Sequence, residues 1–168
     1  RILAHINPRM PRTRGPSIPL ARIEAAIEAD GPLLEIPDPA ADPAMDAVAA
    51  RVAGLVEDRA TLQLGLGRLQ SAVLRAVHDR RGLRIHSGMV SDGLLGLLDA
   101  GALADGPDAV VAGVALGTPA LYEAAPRHVR FREVGHTHDH GVLAAIPRLT
   151  AINSALSVDL LGQVNGEC

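Results

Sequence analysis

Leu83-Arg84-Ile85-His86-Ser87-Gly88-Met89-Val90-Ser91-Asp92-Gly93 reads as a buried strand running into a small-residue turn and then a helix. Leu83 and Ile85 are strand-like. Ser87, Gly88, Ser91, Asp92 and Gly93 read as loop and cap residues, which frees the backbone after Ile85 to approach a ligand closely. Just upstream, Thr61-Leu62-Gln63-Leu64 reads as a strand and Gly65-Leu66-Gly67 as a tight turn. Leu69, Val73, Ala76 and Val77 then form the buried face of a helix ended by Gly82. Downstream come a Leu-rich helix over 93–98 and an apolar run over 108–116, with Gly117-Thr118-Pro119 opening the next helix. Residues 129–134 alternate apolar and charged side chains around Phe131, as a half-buried strand does, and 149–153 and 156–160 read as further strands. Strands alternating with helices at this spacing give an α/β fold, an open, largely parallel sheet with flanking helices.

Toward the start, residues 2–6 read as a strand whose sheet lies mostly outside the chain, and residues 7–19, rich in proline and arginine, as a loop or linker. Residues 20–23 suit a short helix, 23–29 either helix or strand, and 33–36 a short extended run. Asp42 as N-cap and Pro43 at the first helical position open a helix to about residue 57, with Met45, Val48, Val52, Leu55 and Val56 as its apolar stripe. The expected organisation is a piece of a longer protein: residues 1–19 the end of a preceding domain and its linker, residues 20–168 the first part of a C-terminal domain.

Composition narrows the chemistry. With 48% hydrophobic residues the 168-residue chain has enough for a core. Tyr122 and Phe131 are the only aromatic residues and the formal charge is -3, so nucleic acid is not expected as a partner. The basic residues are all arginine, which beside the abundant alanine reads as composition bias. No apolar run reaches the ~18 to 20 residues of a membrane span, and the single Cys168 excludes an internal disulfide. A cytoplasmic protein without a membrane partner is expected.

Several residues carry alternative readings. The Gly65-Leu66-Gly67 turn either presents N–H groups to an oxyanion or phosphate or is only a sharp corner, and it lacks the spacing of a dinucleotide fingerprint or P-loop. His136-Thr137-His138-Asp139-His140 has metal-ligand chemistry, but the Gly135 and Gly141 flanks suggest a loop lining a cleft; Asp139 then caps a helix beginning near Gly141. His86 points into the carboxyl-end crevice or is a hydrogen-bonded core histidine. Ser91 or Asp92 belongs to a ligand loop or, preferably, is the N-cap of the following helix.

Taken together, residues 7–13 (Asn-Pro-Arg-Met-Pro-Arg-Thr), 62–67 (Leu-Gln-Leu-Gly-Leu-Gly), 85–93 and 151–165 (Ala-Ile-Asn-Ser-Ala-Leu-Ser-Val-Asp-Leu-Leu-Gly-Gln-Val-Asn) resemble the acetyl-CoA hydrolase/transferase family, which includes the 4-hydroxybutyrate and acetate CoA-transferases. The resemblance implies two open α/β domains with an acyl-CoA in the cleft between them. It also implies a homo-oligomer of the intact protein, coenzyme A or acyl-CoA and a small carboxylate as substrates, and no metal. In the family a glutamate in a His-Thr-Glu-Met type of motif attacks the thioester, giving an acyl-glutamyl anhydride and then a glutamyl-CoA thioester. Here that motif is His86-Ser87-Gly88-Met89, so Gly88 occupies the glutamate position and no catalytic residue is assigned. Gly65, Leu66, Gly67, Gly88, Met89, Asn153, Gln163 and Asn165 resemble the residues around the bound acyl-CoA, and a further CoA-contacting segment is expected beyond Cys168. Two substitutes for the glutamate follow: water admitted beside Gly88, or a neighbouring carboxylate such as Asp92 or Glu133. The alternative is a non-catalytic acyl-CoA-binding homologue or a subunit of a partner that carries the glutamate.

Overall fold

The computed structural model describes residues 1–65 and 67–166. Strand β1 (Leu3–Ile6) pairs in parallel with β2 (Ala25–Glu28), with a short 3-10 turn (Leu20–Arg22) between them, so the first strand finds a partner within the chain. After an irregular segment come α1 (Pro43–Ala53), β3 (Thr61–Leu64), α2 (Arg68–Ala76), β4 (Arg84–Val90), α3 (Gly93–Asp99), β5 (Val110–Ala115), α4 (Pro119–His128) and β6 (Arg130–Phe131). Two short helices, α5 (Val134–Thr137) and α6 (His140–Ala145), lead to β7 (Leu149–Ile152), and β8 (Ser157–Val158) and β9 (Val164–Asn165) form a terminal hairpin.

The core is an all-parallel five-stranded sheet in the order β6-β5-β4-β3-β7. Its central strands are buried in continuous runs rather than alternately: Thr61 and Leu62, Ile85 to Ser87, and Val110 to Ala112. That pattern belongs to a parallel sheet covered on both faces. Because β7 returns to the far side of β3, the strand order reverses at β3, where open α/β sheets place their ligand crevice. The β3 and β4 backbones stay in register only at Thr61↔Arg84 and Leu62↔Ile85. Beyond that point the Ser87 hydroxyl spans the gap, donating to the Leu64 carbonyl at 2.7 Å and accepting from the Leu64 N–H at 3.4 Å. The carboxyl ends of the two strands therefore part.

The structure changes several expected elements. Ser87 and Gly88 belong to the strand, not to a turn, because β4 continues to pair with β5 as far as Val90↔Ala115. Helix α1 starts as expected, with the Asp42 carboxylate accepting from the Ala44 N–H at 2.9 Å, but it stops at Gly54. Its buried face is Ala49 and Ala53, while Val48 and Leu55 are exposed, since the small alanines permit close packing against α2. Helix α2 ends at Ala76, and Gly82 (φ +67°) sits in the following loop. The strand expected over 129–134 shrinks to β6, because Glu133 takes the N-cap position of α5. The strand expected over 156–160 ends early, where the Asp159 carboxylate accepts from the Leu161 and Gln163 N–H groups at 2.8 and 2.9 Å and turns the chain into the hairpin. Among the described residues no helix is long and apolar enough to cross a membrane.

Candidate functional site

The carboxyl ends of β3 and β4 surround an apolar cavity of about 210 Å³. Its wall comes from Leu64, Gly65, Gly67 and Gln70 on the β3–α2 side and from Met89, Ser91 and Leu94 on the β4–α3 side. Residues 36–39 close it from above. That irregular segment is held by the Ile36 N–H donating to the Gly117 carbonyl at 3.1 Å and by the Tyr122 hydroxyl donating to the Leu34 carbonyl at 2.5 Å.

Gly67 is the N-cap of α2 with φ +118° and ψ -175°, a conformation open to glycine and strained for any other residue. Its carbonyl accepts from the Ser71 N–H at 3.2 Å and the Ser71 hydroxyl at 3.3 Å. Beneath the turn, Gln70 is 4% exposed; its amide donates to the Ser154 hydroxyl at 3.0 Å, and its Oε1 has no hydrogen-bond partner among the described residues. A Cβ on Gly65 would lie 3.1 Å from Asn153 Oδ1 and 3.3 Å from Gln70 Nε2. The end of β7 thus delivers Asn153 and Ser154 to the glycine turn. An unpaired buried acceptor at a cavity wall is suited to receive a ligand N–H or O–H.

Gly88 faces elsewhere. A Cβ there would lie 2.5 Å from His138 Cε1 and 3.1 Å from His138 Nε2, so the imidazole fills the space above the glycine. His138 caps the C-terminus of α5, and its Nδ1 is 3.0 Å from the hydroxyl of fully buried Thr137. His86, two residues before Gly88 on the same strand face, is 6% exposed and its ring centroid lies 5.7 Å from that of His136. Burial, and then the nearby His136, push the His86 pKa below the ordinary imidazole value, and the Nε2 of His86 has no hydrogen-bond partner among the described residues. Neither reading of His86 fits fully: it is a core histidine, incompletely satisfied.

The segment 136–140 is not a loop but two short helical turns, and Asp139 caps the second by accepting from the Val142 N–H at 2.9 Å. Among the described residues no three His, Cys, Asp or Glu side chains converge as metal ligands. Asp92 stands at the N-cap position of α3 but does not cap it. Its carboxylate instead accepts from the N–H of Thr118 at 2.9 Å and from the Thr118 hydroxyl at 3.0 Å, tying the β4–α3 loop to the start of α4. That engagement removes Asp92 as a free carboxylate. Glu133 is exposed and makes no side-chain cap bond.

Residues 117–168 match the family model described as the acetyl-CoA hydrolase/transferase C-terminal domain. Over 99% of its length the chain is 36% identical to the 4-hydroxybutyrate coenzyme A transferase of Clostridium kluyveri and 33% identical to the succinyl-CoA:cyclohexane-1-carboxylate CoA transferase of Geobacter metallireducens. The crystal structure of RipA from Yersinia pestis superposes with a TM-score of 0.88 at 30% identity, covering 99% of this chain and 41% of that one. The 4-hydroxybutyrate CoA-transferase from Porphyromonas gingivalis gives a TM-score of 0.86 at 30% identity, covering 96% and 43%. Residues 117–168 thus match the acetyl-CoA hydrolase/transferase family, and nearly the whole chain is similar to CoA transferases. The chain spans 41% and 40% of the length of the two curated relatives.

Of the positions the family resemblance assigns to the acyl-CoA site, the fold gathers Gly65, Gly67 and Met89 on one cavity, with Asn153 against Gly65. Leu66 lies outside the described residues. Gly88 lies under His138, while Gln163 and Asn165 sit on the terminal hairpin, where the Gln163 backbone closes the turn and Asn165 pairs with Ser157. The sequence reading does not place Gln70 at this cavity, and it offers His138 only as a metal-ligand or cleft-loop candidate. Gln70 is a polar residue on an otherwise buried helix face, a signal the apolar period passes over. The place of His138 depends on packing between segments 50 residues apart.

Proposed function

We propose that the chain supplies the acyl-CoA cleft of a CoA-transferase or acyl-CoA hydrolase homologue that acts on a thioester and a small carboxylic acid. The observation that carries this reading is the pair Gly65 and Gly67, set with Gln70 and Asn153 at the end of β3, where the strand order reverses, in a chain similar over 99% of its length to CoA transferases. In this reading the Gly67 N–H stabilises the oxyanion formed at the thioester carbonyl, and the unpaired Gln70 Oε1 accepts a hydrogen bond from the substrate. Gly88 carries no nucleophile, so the reaction favoured is attack by water rather than transfer through a glutamyl thioester. Loss of thioester turnover in Gly67→Val with CoA binding retained supports the oxyanion role; unchanged turnover contradicts it.

The proposed organisation is the end of one domain, its linker and the first part of a second. The boundary proposed falls at residue 19, with residues 20–168 as the first part of the second domain, and β1 pairs with β2 across it. A second reading, a non-catalytic acyl-CoA-binding homologue, is favoured by Gly88 itself. Turnover of a bound thioester by the intact protein separates the two.

A further inference from the structure

The replacement of a carboxylate by Gly88 is matched by a second feature. The space a side chain would take at Gly88 is occupied by the edge of His138, with Cε1 at 2.5 Å and Nε2 at 3.1 Å from the Cβ position. A titratable group thus stands against the position the family gives to its glutamate, but it comes from α5 instead of β4. Resting on the acyl-CoA reading above, we propose that His138, packed on the position the resemblance gives to the glutamate and outside the apolar cavity, is the catalytic base, with Thr137 as its positioning residue, and that the reaction it serves is thioester hydrolysis.

The local geometry holds the ring. The hydroxyl of fully buried Thr137 lies 3.0 Å from His138 Nδ1 and 3.5 Å from the Val134 carbonyl, so Nδ1 is the ring nitrogen tied to the protein. Nε2 makes no hydrogen bond to any described residue, and in the proposal it is the nitrogen that acts on water. The ring is exposed, so water reaches it. The backbone of Gly88 is ordinary extended strand, outside the left-handed region that demands glycine. What requires glycine there is the imidazole.

In the step proposed, Nε2 of His138 takes one proton from a water as the water oxygen bonds to the thioester carbon. Collapse of the tetrahedral intermediate breaks the carbon–sulfur bond, and the departing sulfur takes the proton back from the imidazolium. A carboxylic acid and free CoA thiol leave, and the imidazole returns neutral. No covalent enzyme intermediate forms, so no CoA passes to a second carboxylate. Of the charged and titratable groups, His86 on β4 feels the charge of both His138 and His136, while Glu133, His136, Asp139 and His140 are the neighbours of His138 along the chain at α5 and the start of α6.

The test uses the intact protein. Thiol release from acetyl-, butyryl- and succinyl-CoA is measured alongside calorimetric binding of CoA. The expected result is release by the unmodified protein, a fall in kcat of about 10²- to 10⁴-fold in His138→Gln with KM and CoA affinity retained, and a smaller fall in Thr137→Val. Added imidazole restores release in His138→Gly, and His140→Gln behaves like the unmodified protein. Release by His138→Gln at the unmodified rate overturns the proposal and leaves the cleft reading standing. So does CoA binding with no release by the unmodified protein. Absence of CoA and thioester binding overturns the cleft reading and this proposal together.

Discussion

Gly67 follows the carboxyl end of β3 and Gly88 lies two residues inside the carboxyl end of β4, and each lacks a side chain for a different physical reason. At Gly67 the backbone decides: φ is +118°, and a Cβ would meet only Gln70 Oε1, at 3.3 Å. At Gly88 the backbone would accept any residue, and the neighbour decides, because the His138 ring already fills the space. The first glycine belongs to the shape of the turn. The second belongs to a pair, and its meaning changes with its partner.

The largest expected effect comes from breaking the backbone side of this contrast. Gly67→Val forces a branched residue into a glycine conformation and should lower stability by about 3 kcal/mol, read by chemical denaturation, with His138→Gly giving no relief. Next, Asp92→Ala should cost about 2 kcal/mol by removing charge-assisted bonds to Thr118, which shows how much the rim depends on loop-to-loop ties rather than on either glycine. Gly88→Ala should cost about 1 kcal/mol, since the exposed ring can swing aside, and the loss should vanish in a Gly88→Ala/His138→Gly double variant. Persistence of the loss in the double variant would break the pairing of Gly88 with His138.

The smallest effect concerns His86 beneath that pair. Its folded-state pKa is lowered, so the unfolded chain binds the proton first. The stability linked to neutral His86 is complete above the unfolded-state value, about 6.5, and declines as pH falls from there through the folded-state pKa. Urea titrations across that window should give a smaller decline for His86→Phe than for the unmodified chain.

Local chemistry made much of the fold legible. Asp42-Pro43 opens α1, Thr118-Pro119 opens α4, and the run from Thr61 to the glycine turn gives β3 and the start of α2. The cavity wall was legible where it is local, in Gly65 and Gly67, and the resemblance led to Asn153, which lies against Gly65. It was not legible where two distant segments meet. Ser87 reads as a turn residue until the parting of β3 from β4 gives its hydroxyl a place in the ladder. Asp92 reads as a cap until Thr118 comes within reach. The histidines at 136 and 138 suggest a metal or a polar loop until the fold lays one beside His86 and the other over Gly88. Sheet register and packing determine each of these, and neither period nor propensity reports them.

The most direct test of a CoA-transferase family cleft rebuilt around Gly88 and His138 is a single reaction of the intact protein with acetyl-CoA and succinate. Free CoA and succinyl-CoA are quantified together. The expected result is free CoA accumulating with no succinyl-CoA. Succinyl-CoA formed by the protein with Gly88 unchanged would contradict the account, because His138 acting as a base on water releases CoA and does not pass it to a second carboxylate.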